Sequence, residues 1–91
     1  MAELTEALCE LARLDRRHLG LIVLTPTGDY LVDLSGTGAG VRNRFVISRR
    51  QLGELMWDHQ VPRDELTDPD VAARLTALVT AWRATQPQAA R

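Results

Sequence analysis

Leu19-Gly20-Leu21-Ile22-Val23-Leu24-Thr25-Pro26-Thr27-Gly28-Asp29-Tyr30-Leu31-Val32-Asp33-Leu34 is the stretch on which the fold turns. Its first six residues are too few for a helix and rich in branched side chains, so they read as a buried strand. Thr25-Pro26-Thr27-Gly28-Asp29 reads as a turn, because proline presets φ early in it and glycine supplies positive φ where the chain reverses. Residues 30–34 then form a second strand, and the two make a hairpin.

Upstream, residues 3–17 predict a helix: Leu4, Leu8, Leu11 and Leu14 keep to one apolar stripe. Its acids (Glu3, Glu6, Glu10) come early and its bases (Arg13, Arg16, Arg17) late, as the helix dipole favours. Downstream, Ser35-Gly36-Thr37-Gly38-Ala39-Gly40 reads as a flexible loop, and residues 44–47 as a third strand with Phe45 and Ile47 facing the core. Ser48 followed by Gln51 is a capping-box signature. It opens a helix over 48–60 that places Leu52, Leu55, Met56 and His59 on one face and stops at Pro62. Asp68 as N-cap and Pro69 at the first helical position open a last helix, whose stripe is Val71, Leu75, Leu78, Val79 and Trp82.

The order α-β-β-β-α-α predicts an α+β domain over residues 1–85. It has an N-terminal helix, a three-stranded antiparallel sheet and a C-terminal pair of helices. Residues 86–91 have nothing to bury and are expected to be a disordered tail. In a simple meander the first strand is an edge, yet it is the most apolar of the three, with no charge or proline to blunt it. The nine-residue connection from Ser35 to Asn43 argues against strand three crossing to strand one. A homodimer pairing through the first strand, with Leu21 and Val23 in the interface, is therefore expected.

The chain has 91 residues, 45% hydrophobic and with net charge −1, which is room for one core and no more. No apolar run approaches a membrane span, and the acidic start shows no secretory signal. A single cysteine, Cys9, excludes an internal disulfide framework and fits a reducing cytoplasm.

Every basic residue among the eleven is arginine. Between Asp33 and Glu54 there is no acid, while Arg42, Arg44, Arg49 and Arg50 all fall there. The interval carries +4, leaving −5 for the remainder. Arginine at a helix start opposes the dipole, which suggests a purpose other than stability. The sharper reading is an anion-binding surface for nucleic-acid phosphates or another polyanion, with Gly38 and Gly40 allowing close approach. The plainer one is four solvated or carboxylate-paired side chains. Gly36-x-Gly38-x-Gly40 lacks both the spacing and the following helix of a dinucleotide fingerprint.

The order α-β-β-β-α, with Ser48-Arg49-Arg50 opening the helix after strand three, is similar in outline to double-stranded-RNA-binding domains. That resemblance implies contact between this helix start and duplex phosphates. The chain departs from the family where Leu52-Gly53-Glu54 stands in place of a further lysine, and in its extra C-terminal helix. A DNA-binding helix-turn-helix fits less well, since the joint over residues 61–67 is long and the last helix bears only Arg74 and Arg83.

Cys9, His18 and His59 are scattered, with no metal-ligand spacing and no triad, so neither a metal nor another cofactor is expected. Asp64-Glu65 and Asp68-x-Asp70 flank a helix start, where dipole compensation accounts for them. A non-enzymatic binding or regulatory protein follows. The alternative to a polyanion ligand is a protein-interaction module or adaptor, homodimeric and with no nucleic-acid role. Trp57, just off its helix stripe, would anchor the partner, and Met56 beside it would add an adaptable contact.

Overall fold

The computed structural model describes residues 3–15, 17–36 and 42–86. Helix α1 (Leu4–Ala12) leads into strands β1 (Leu21–Leu24), β2 (Tyr30–Asp33) and β3 (Arg44–Ser48). Helix α2 (Arg49–Asp58), a 3-10 turn (Arg63–Glu65) and helix α3 (Pro69–Thr85) complete the α+β order. Gly38 and Gly40 lie outside the described residues, as does the expected tail beyond Gln86.

Helix α1 stops short of the predicted residue 17. The Asp15 carboxylate accepts the Arg17 N–H at 2.8 Å, and the His18 N–H bonds the Asp15 carbonyl. An aspartate that offers the backbone such a local alternative breaks a helix. The hairpin forms as expected: the Gly28 N–H reaches the Thr25 carbonyl, the Thr25 N–H reaches that of Asp29, and Gly28 sits at φ 92°.

The sheet order is β2-β1-β3, with both pairings antiparallel. This corrects the meander. Strand β1 is central, both of its edges are occupied, and a second copy cannot pair with it there. The strands are only four or five residues long. The connection over residues 34–43 can span about 30 Å, enough to return along one strand and cross the width of β1.

Register then sorts the side chains. Ile22, Leu24, Tyr30, Val32 and Ile47 face the helices and join a core with Leu8, Leu11, Leu52, Leu75 and Val79. A bulge between Ile22 and Val23 leaves Val46 opposite no partner, and Val46 and Ile47 are both buried. The extra residue resets the alternation. Phe45, expected in the core, consequently pairs with Val23 on the opposite face and is 51% exposed. In α3, Leu75 and Val79 are fully buried, and Val71, Leu78 and Trp82 pack half-buried against them.

Candidate protein-interaction surface

The four arginines do not form one patch. Ser48 caps α2 as predicted: its hydroxyl accepts the Gln51 N–H, and the Gln51 side chain accepts the Ser48 N–H. The next residue, Arg49, turns inward and is 3% exposed. Its Nε donates to the Leu14 carbonyl at 3.0 Å and its Nη2 to the Ala12 carbonyl at 3.5 Å. Those carbonyls lie at and just beyond the C-terminal end of α1, where the dipole is negative and no basic residue of α1's own last turn answers it. Arg49 thus supports stability after all, but of a helix other than the one it begins.

Two more arginines do the same work. Arg63 Nη2 donates to the Arg13 carbonyl at 2.6 Å, and Arg74 Nη2 donates to the His59 carbonyl at the end of α2 at 2.7 Å. A planar guanidinium with five donors suits such remote capping better than an ammonium.

Arg50 points to solvent and meets Glu54 at 3.7 Å, an exposed i,i+4 pair of little energetic weight. Arg42 and Arg44 are exposed and share a hollow of about 450 Å³ with Leu24, Thr25, Pro26 and Gly28, at the hairpin end of the sheet. Arg44 and Ser48 are the two ends of β3, so this pair stands a strand length, roughly 13 Å, from the start of α2 and Arg50.

Trp57 is 80% exposed. Beside it a hollow of about 520 Å³ has an apolar floor of Met56, Val61 and Pro62, closed by Gly53, Gln60, the buried Arg49 and the exposed Arg63. Among the described residues no carboxylate lines it. On its other flank a second hollow of about 940 Å³ mixes charges of both signs, including Arg17, Arg50, Glu54 and Asp58. Met56 is buried and forms floor rather than an adaptable outer contact. The hollow depends on how α2 ends. Val61 N–H bonds the Met56 carbonyl and Gln60 N–H that of Trp57, a Schellman closure with Gln60 at φ 54°. This reversal brings Val61-Pro62-Arg63 back along the helix to wall the site.

Gly53 is a signal in the sequence that bears on this site. A Cβ there would stand 2.9 Å from Arg49 Nη1, so the glycine makes room for the buried guanidinium. Leu21 and Val23, expected to act through a strand edge, belong instead to the sheet face away from the helices, with Leu31 and Phe45.

Cys9 is half-buried, His18 Nδ1 accepts the Gly20 N–H, and His59 is exposed. Among the described residues no three His, Cys, Asp or Glu side chains come together as metal ligands would, and no helix is long and apolar enough to cross a membrane. Comparison of the chain with protein-family models, with curated proteins and with solved structures finds no match.

Proposed function

We propose that this chain is a small cytoplasmic interaction module that performs no reaction itself and docks a partner protein on Trp57 and the hollow beside it. The observation that carries this reading is a tryptophan left 80% exposed on a well-capped helix, against a preformed apolar hollow. Tryptophan is among the residues enriched at interface hot spots, which cluster in well-packed, desolvated pockets. The lining sets the chemistry of the partner. An apolar floor beside the exposed Arg63, with no acid among the described lining residues, favours a segment that places an apolar side chain beside a carboxylate.

A second reading keeps a polyanion ligand on Arg42 and Arg44. It is favoured by their shared exposed hollow, where Gly28 allows close approach. Without Arg49 the basic surface is smaller than the sequence suggests, and the overall pI of about 6.1 opposes strong non-specific nucleic-acid binding.

Affinity capture from the native host, with nuclease treatment, separates the two. A protein retained by the wild-type chain should be lost with Trp57→Ala, by roughly 30-fold or more in affinity, and kept with Arg42→Ala/Arg44→Ala. Retention by Trp57→Ala, or recovery of nucleic acid alone, would overturn the first reading.

A further inference from the structure

The hollow beside Trp57 calls for a segment with an apolar side chain next to a carboxylate. This chain carries one: Trp57 itself, followed by Asp58. Trp57 is a ridge between two hollows and lines both. Arg63 lines only the first, and Glu54 and Asp58 only the second, so the ridge has a cation on one flank and acids on the other. Glu54 is occupied by Arg50. Asp58 is exposed and makes no hydrogen bond or ion pair with another described residue. It is also the last residue of α2, where an acid opposes the helix dipole. In a single copy the indole is left in water and, among the described residues, the carboxylate is left unanswered.

Resting on the reading of this hollow as a docking site, we propose that its occupant is a second copy of this chain, each Trp57 seated in the other's hollow. A ridge beside a groove is self-complementary about a twofold axis, which makes one patch serve both subunits. That axis lies in the interface, along the boundary between Trp57 and the first hollow. It lays the partner subunit's Trp57 on Met56, Val61 and Pro62. Because Trp57 lines the hollow that its counterpart enters, the two indoles also pack against each other. The same axis exchanges the flanks and brings the partner subunit's Asp58 to Arg63. Arg63 spends one of its five donors on the Arg13 carbonyl and can offer others to a carboxylate. A twofold set across the ridge instead would face Arg63 with its own copy, and acid with acid. Charge selects the first.

Area sets the strength. Each indole hides about 150–250 Å². With the matching walls, the two copies together bury on the order of 1,000 Å², the low end for specific interfaces. The dimer is therefore reversible, with a dissociation constant in the micromolar range or weaker.

Light scattering from low micromolar to near-millimolar concentration tests this, with circular dichroism to verify that each variant is folded. Wild-type mass should climb from one copy to two. Trp57→Ala should raise the dissociation constant by roughly 30-fold or more. Asp58→Arg and Arg63→Asp should each stay at one copy where the wild type is half dimer, because like charges then meet. Their equimolar mixture should regain the two-copy mass, since the mixed dimer restores both charge pairs. A wild-type mass of one copy at the highest concentration would overturn the proposal, as would dimerisation undiminished in Trp57→Ala. A mixture that stays at one copy would overturn the flank-exchanging twofold. If the wild type stays at one copy yet captures a different host protein through Trp57, the second copy is excluded and the docking site stands. Capture that survives Trp57→Ala removes the docking site itself.

Discussion

Arg49 carries a full charge into the interior, where its guanidinium answers the carbonyl end of α1 and lies in the space a Cβ at Gly53 would need. Gly53 is mid-helix, a position where glycine costs about 1 kcal/mol relative to alanine. Filling it should nonetheless destabilise the protein. Hydrogen bonds from a charged donor contribute about 1.5–3 kcal/mol, so displacing them outweighs the gain in propensity. Urea unfolding should give Gly53→Ala a net loss of about 1 kcal/mol in the wild-type chain. In an Arg49→Ala background, with the space vacated, the same substitution should stabilise by about 1 kcal/mol. A sign that does not reverse would dissociate the two residues. Gln60 poses the opposite case. It holds the left-handed C′ position that favours glycine, so Gln60→Gly should stabilise by about 1 kcal/mol. For a domain of this size that is a rise in Tm of about 4–8 °C.

The elements owe their ends to neighbours as much as to themselves. Helix α2 begins by a local device, the Ser48–Gln51 capping box, and Ser48→Ala should cost about 1 kcal/mol. It ends partly by a remote one, the Arg74 guanidinium on the His59 carbonyl. Arg74→Ala should cost less, on the order of 0.5 kcal/mol, since that contact is exposed; thermal unfolding of the pair of variants ranks the two. The same division marks what could be read in the sequence. Both predicted caps, Ser48 and Asp68 ahead of Pro69, are where expected, because capping is written in residues a few positions apart. So is the hairpin around Gly28. The place of β3 was not legible, because sheet order depends on how far a connection reaches relative to strands whose shortness shows only in the fold. Phe45 faces away from the core because of one bulge, an extra residue that leaves no compositional trace. The inward turn of Arg49 was hidden for a further reason. The carbonyls it answers lie some 35 residues away in sequence, and its neighbour Arg50 has the same composition and the opposite environment.

At the scale of the whole molecule, these local facts redistribute the charge. The interval from Asp33 to Glu54 carries +4 in formula, but not as one field. One of its arginines is buried against α1, one is paired with Glu54 at the start of α2, and two stand together at the hairpin end. A phosphate backbone laid on this surface could therefore engage Arg42 and Arg44 at once, but could add Arg50 only by spanning the sheet. Each neutralised phosphate contributes about −0.9 to the slope of log affinity against log salt for duplex DNA, so the slope should be no steeper than about −2. Titration of duplex DNA at several salt concentrations, followed by fluorescence anisotropy, measures it. Arg42→Ala/Arg44→Ala should abolish the salt-dependent signal. Arg49→Ala should leave the slope unchanged while lowering Tm, because its guanidinium is spent on the end of α1. A slope near −4 that falls by about one with Arg49→Ala would mean that the buried arginine turns outward to its ligand, and that the division between structural and exposed cations drawn from this fold is mistaken.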